Sequence, residues 1–193
     1  MLLDRFFARP MRPAVAEPAA GWLARPWARL LWCLLGVGCG IALALGIAGP
    51  RVSPFLLASL GGSAVFLFGL TRAPAAQPRA LLGGHLGGAL IGIACYQVLG
   101  DTPAAYVLAQ VLGLGFMLAA RCVHPPAGAN PILMVHVHAD WAVLLSPVLT
   151  GVLALAAVAV VWSRLYPGLA RYPVRPLEPS PPHMNWGGWG TGG

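Results

Sequence analysis

Lysine is absent from this chain, charged residues of every kind make up only 9% of it, and the carboxylates number five in 193 residues. A soluble domain carries roughly 25% charged residues to face water, so a water-covered globule is excluded. Disorder is excluded as well, because it needs low hydrophobicity and 58% of this chain is hydrophobic. The glycines have no three-residue period, which removes a collagen-like chain. The four cysteines (Cys33, Cys39, Cys95, Cys122) form no CxxC pair and lie in or beside apolar runs, so they read as small core- or lipid-facing residues. What remains is a small polytopic membrane protein, one domain by length.

All 12 basic residues are arginine and the net charge is +7. The arginines stand singly between apolar runs, so they read as cytoplasmic anchors, and nucleic acid is not an expected partner. Residues 1–28 contain Asp4, Glu17 and four prolines, with no continuous apolar core and no twin arginine, which argues against a signal peptide. Leu2, Leu3, Phe6 and Phe7 suit a short interfacial helix.

Six apolar segments follow, at about 30–49, 54–70, 81–99, 104–120, 125–138 and 141–162. The first, third and sixth are long enough for the roughly 20 residues that a spanning helix needs. The fifth is short and contains Pro131, so it is either a broken span or a re-entrant half-helix. If all six cross with the N-terminus inside, the inner loops carry +8 and the outer loops −1. That bias favours six crossings with both termini cytoplasmic, in the cell inner membrane. The expected fold class is therefore all-α: a polytopic helical membrane protein with about six apolar segments, one short or broken. The organisation is an N-terminal segment 1–28, a transmembrane domain 29–162, and a Pro/Gly/Trp-rich tail 163–193, expected to be extended and poorly ordered, in which Trp186 and Trp189 suit the membrane interface.

Ser53-Pro54 and Thr102-Pro103 each set a capping hydroxyl before a first-turn proline, and Asp140 is placed to cap the sixth segment. Each half of the chain reads as a long span, a short Gly/Ala-rich segment opened by proline, then a long span. That pattern suggests an inverted repeat of three plus three, an architecture common in transporters. Glycines recur every four residues at Gly36 and Gly40, and at Gly84, Gly88 and Gly92, with Gly83 and Gly87 alongside. Such ridges let helices approach closely in lipid, make the third segment central, and permit self-association.

Two polar constellations interrupt the apolar runs. In the first, Gln77-Pro78-Arg79 opens a helix and His85 follows almost two turns later. A helix N-terminus with an arginine attracts anions; the bland reading is an interfacial arginine and a hydrogen-bonded core histidine. In the second, His124-Pro125-Pro126-Ala127-Gly128-Ala129-Asn130-Pro131 breaks the helix, because each proline lacks an N–H and fixes φ. Small residues there admit a backbone or a small solute. A break at membrane depth is tolerated only where it is buried in protein or lines a polar cavity, and an ionisable residue at it points to function. A hydrated cavity is the expectation, with a purely structural hydrogen bond from His124 as its alternative. His136 and His138 point about 200° apart on a helix, and no metal or other cofactor is expected. Ser63 after two glycines suggests a serine nucleophile, but no second motif supplies a base, and the chain is not expected to be an enzyme.

The His124–Ala129 run, with Gln77-Pro78-Arg79, Gly84-His85 and Gly61-Gly62-Ser63-Ala64-Val65 upstream, resembles the HPP family of integral membrane proteins over roughly residues 29–162. Gly62 stands where that family has alanine, and Asn130-Pro131 adds a polar residue and a proline where it turns apolar. Members in plastids and cyanobacteria are associated with nitrite transport. The resemblance therefore implies a transporter or channel for a small anion such as nitrite, with the lipid bilayer and the anion as partners. Its substrate contacts are expected from Ser63, Gln77, Arg79, His85, His124, Pro125, Pro126, Ala127, Gly128 and Asn130. The competing reading is a non-transporting membrane scaffold or sensor.

Overall fold

A computed structural model describes residues 21–48 and 54–183. The expected interfacial helix at Leu2–Phe7, the Ser53 cap, and Trp186 and Trp189 lie outside the described residues. The fold is all-helical, and among the described residues the only extended pairing is an isolated bridge between Cys122 and Ser180.

Helix α1 is Pro26–Ala48 and α2 is Pro54–Ala64, continued by a widened turn at Val65–Gly69. Helix α3 is Pro78–Leu99 and α4 is Pro103–Ala119. A tight turn at Pro125–Ala129 leads into the short α5, Asn130–His136. Helix α6 runs Trp141–Leu165 and is interrupted at Ser146, whose backbone is extended (φ −143°, ψ 119°) just before Pro147. α1, α3 and α6 are long and apolar enough to cross a membrane. The expected caps form at two starts. Thr102 accepts the Ala105 N–H at 3.2 Å, and Asp140 accepts those of Ala142 and Val143 at 2.9 and 3.2 Å.

The glycine ridges sit at helix contacts. Gly36 and Gly40 of α1 face Trp162 and Leu155 of the antiparallel α6. Trp32 and Trp162 stack there at 4.4 Å between ring centres. Gly87 of α3 faces Phe116 of the antiparallel α4, while Gly84, Gly88 and Gly92 face the 125–136 segment. The long helices pair as α1 against α6 and α3 against α4. The short segments of the halves meet each other: the Ser59 hydroxyl of α2 donates to the Pro126 carbonyl at 2.9 Å.

The fifth segment does not turn back. It starts beside Gly84 and passes Gly88 and Gly92. It ends at His138, which stacks on Tyr96 and meets Asp101. It thus runs parallel to α3 from the Arg79 end to the Asp101 end, with Asn130, Pro131, Met134 and Val135 buried and Pro125, Ala129, Ile132 and His136 exposed.

The tail departs from expectation through residue 183. Tyr172 is buried, and residues 174–182 strap across the Arg79 end of the bundle through hydrogen bonds described below. Proline prevents this segment from forming a helix but leaves its carbonyls and remaining N–H groups free to bond elsewhere.

Candidate functional site

The break after α4 is built to satisfy its own backbone. Helix α4 ends with Arg121 in the left-handed region (φ 52°), and the Cys122 N–H returns to the Met117 carbonyl at 2.9 Å. α5 ends the same way: His138 also has φ 52°, and the Ala139 N–H bonds the Met134 carbonyl at 2.9 Å. Glycine normally fills this position because a Cβ is strained there. Here the strained residues are ones whose side chains have work beyond the turn. Arg121 donates to the Pro181 and Pro182 carbonyls of the strap, and His138 pairs with Asp101.

The prolines of the broken segment seat in notches made by glycines of three other helices. Pro126 lies on Gly62 of α2, where an added Cβ would come within 2.9 Å. Pro131 lies among Gly88 and Gly92 of α3 and Gly113 of α4. Ala127 packs on Gly84. The expected hydrated cavity is therefore corrected: the inner side of the break, at Pro126, Ala127 and Pro131, is filled by protein, because the glycines let these residues close against neighbouring helices. Asn130-Pro131, the departure from the family pattern, forms the centre of this packing.

Four of the expected residues converge here, with Ser63 at 0%, His85 at 1%, His124 at 0% and Asn130 at 1% exposure. The Ser63 hydroxyl oxygen is 2.8 Å from Nε2 of both His85 and His124, and 2.9 Å from the Ser59 carbonyl. The partners assign the protons. Ala75 O, 2.6 Å from His124 Nδ1, can only accept, so Nδ1 carries hydrogen and Nε2 of the neutral ring accepts. The Asn130 amide nitrogen, 3.0 Å from His85 Nδ1 and 3.1 Å from the His85 carbonyl, donates to both, so His85 carries its hydrogen on Nε2. One direction of donation results: Asn130 to His85, His85 to Ser63, Ser63 to His124, His124 to Ala75. A proton added at His124 Nε2 reverses one link. The imidazolium then donates to Ser63, whose hydroxyl swings to the Ser59 carbonyl already in reach.

Sequence reasoning found no base beside Ser63, whereas the fold brings two imidazoles to it. It also missed Ser59; the signal was a second serine one turn earlier on the same apolar helix. Asn130 Oδ1 is buried with no partner.

The remaining expected site residues lie elsewhere. The Arg79 guanidinium donates to the Ala120 carbonyl at 2.8 Å and does not join the histidines. It splints a carbonyl freed by the helix break. Gln77 is fully buried and uses all four of its hydrogen-bonding positions. Its amide donates to the Thr71 and Ala73 carbonyls, and its oxygen accepts the Val174 and Arg175 N–H groups. Pro125 is exposed and Gly128 half-buried, with nothing within 4 Å of an added Cβ at Gly128. Gln77 is thus the clasp of the strap, helped by Arg79 N–H to the Pro176 carbonyl at 3.1 Å and by Ser180, which pairs with Arg121 and Val123. Gln77→Leu should lower stability by about 2–3 kcal/mol, since four hydrogen bonds to half-buried backbone groups are lost at a buried position. Faster tryptic cleavage after Arg171, followed by mass spectrometry, checks it.

At the opposite end, Asp101 accepts from His138 Nε2 at 3.0 Å and from the Tyr106 hydroxyl at 2.8 Å. These hydrogen bonds, His138 first, hold its carboxyl below the ordinary range. A depressed folded value means that the contribution is complete above the unfolded carboxylate pKa and fades as pH falls through the folded one. Asp101→Asn should therefore lower the thermal midpoint at neutral pH, where that contribution is complete, and converge with the native chain on the acid side, where it has already faded.

Helices long and apolar enough to span a bilayer, polar side chains buried between them and an apolar exterior define a multi-pass membrane protein. The family described as HPP, transmembrane region, matches residues 23–173, and the chain belongs to it. Two proteins of Dictyostelium discoideum, each named only as a transmembrane protein, are similar. One is 30% identical over 130 residues, 65% of this chain and 39% of the relative. The other is 32% identical over 114 residues, 55% of this chain and 40% of the relative. The chain thus spans about two fifths of the length of these curated relatives. No solved structure matches it.

Proposed function

We propose that this chain is a carrier of a small anion, with nitrite the first substrate to try, and that Ser63, His85, His124 and Asn130 form its binding and proton-exchange centre. The observation that carries the proposal is the Ser63 oxygen held 2.8 Å from two fully buried imidazoles beside a helix break. Polar groups at this depth are expensive and packing alone does not require them. The chemistry suits an anion, because imidazole N–H, hydroxyl and amide are donors. The arginine-rich end, placed in the cytoplasm by the charge bias, would draw anions to that mouth. The centre is enclosed, so passage needs the 125–136 segment to shift against α3, as in a carrier rather than a standing pore.

The splinting role of Arg79 and the filled notches also suit a scaffold, but a scaffold has no use for a hydroxyl shared by two titratable rings. A serine hydrolase would use the same pair of groups. Against it, the Ser63 oxygen already holds three partners, and the His124 Nδ1 proton goes to a backbone carbonyl rather than to a carboxylate. The test is flux into proteoliposomes across nitrite, nitrate, formate and chloride, with and without a pH gradient. Flux that responds to the gradient and is lost in His124→Ala supports the carrier, and no flux of any anion by the native chain rejects it.

A further inference from the structure

A cavity of about 340 Å³ lies between the first turn of α1, the end of α2 and the last turn of α6. Ligand sites span roughly 300–1,000 Å³, so this one suits part of a larger molecule. Most of its polar lining is already committed. The Thr71 hydroxyl donates to the Leu67 carbonyl at 2.7 Å and the Cys33 thiol to the Phe68 carbonyl at 3.2 Å. The Ser163 hydroxyl donates to Val160 and accepts from the Tyr172 N–H. The two indoles donate to each other's backbone carbonyls, Trp162 to Trp32 at 2.8 Å and Trp32 to Trp162 at 3.4 Å. With those groups satisfied internally, the wall behaves as apolar. Arg29 is exposed and, among the described residues, has no partner.

The cavity is thus an apolar crevice with one free guanidinium. Its position at helix ends with paired tryptophans is that of the bilayer boundary, where tryptophan is enriched. We propose that it holds one anionic phospholipid of the surrounding bilayer, with the phosphate on Arg29 and the upper acyl chain along Leu67, Phe68 and the indole faces. Charge complementarity selects the sign, because no carboxylate lines the cavity. The guanidinium fork matches phosphate oxygens. The apolar wall selects a lipid over free phosphate, which would leave that wall uncovered. This proposal stands independently of anion transport.

Native mass spectrometry of the full chain, titrated with phosphatidylglycerol or phosphatidylcholine, tests it. One phosphatidylglycerol should be retained in preference to phosphatidylcholine. Arg29→Gln should lower that retention about fivefold, the worth of one arginine at a charged interface. Ala170→Trp keeps the charge, fills the crevice and should release the lipid, whereas Arg72→Gln, outside the lining, should change nothing. Four results would overturn the proposal: equal retention of both lipids, no effect of Arg29→Gln, displacement by inorganic phosphate, or lipid retained only once residues 1–20 are removed. The last would make the N-terminal segment the occupant.

Discussion

Gly92→Val should prevent the bundle from assembling. A Cβ at Gly92 would overlap the Pro131 carbonyl oxygen, lie 2.9 Å from the Pro131 Cα and 2.8 Å from the Met134 Cβ. Two of these neighbours are backbone atoms and the third is fixed to one, so no rotamer change relieves the contact. Overpacking in ordinary cores costs about 1–3 kcal/mol because side chains can give way; here α5 must move off α3, taking Asn130 away from His85. The expected result is loss of the monodisperse peak in detergent, or a fall in thermal midpoint well beyond that of ordinary core variants. Gly115→Val on α4 is the control, since nothing lies within 4 Å of its added Cβ. Equal behaviour of the two variants would remove the notch account of the break.

The residues that were legible from sequence are those whose role depends on local chemistry. The caps at Thr102 and Asp140 need only a hydroxyl or carboxylate before a helix start, and both form. The apolar runs marked the helices, although α3 starts at Pro78, earlier than hydropathy alone set it, because Arg79 interrupts the run. Gln77 and Arg79 were read as anion contacts because they stand near a helix start. The Gln77 amide turns back to Thr71 and Ala73, but the partners of its oxygen and of Arg79 come from residues 174–176 and from Ala120, far away in sequence, and no local rule points to those. The tail failed for a related reason. A proline-rich segment with no hydrophobic period resembles a linker, but its carbonyls and N–H groups find partners on Arg121, Val123 and Gln77.

Ser63 shows the same limit at the site itself. Glycine before it and membrane depth around it were visible, but the two imidazoles that meet it come from 22 and 61 residues further along the chain. Only the glycine notches explain why they can approach so closely. The glycine at 62, where the family has alanine, leaves the room that Pro126 occupies, and that contact brings the His124 turn down onto α2. Packing and polar chemistry are therefore one device: the notches set the separation at which a single hydroxyl bridges both rings.

His124→Asn against His124→Ala separates the two roles of that ring. An asparagine amide falls near the place of Nδ1 and can keep the donation to the Ala75 carbonyl, but it cannot bind a proton in the working pH range. Alanine loses the Ala75 bond, the Ser63 bond and the edge-on contact with Phe66. His124→Ala should lose about 3–5 kcal/mol, since it opens a cavity and leaves buried partners unsatisfied, whereas His124→Asn should lose less than half of that. If His124 served structure alone, flux would follow stability, and asparagine would restore most of it. On the proton-exchange reading, Ser63 can no longer reverse its donation in either variant. His124→Asn should then fold, insert and bind while losing the response of flux to a pH gradient, by at least tenfold in initial rate. Proteoliposome uptake measured beside thermal unfolding of the same preparations decides between the two, and gradient-driven flux at native rate in His124→Asn would remove the proton from the mechanism.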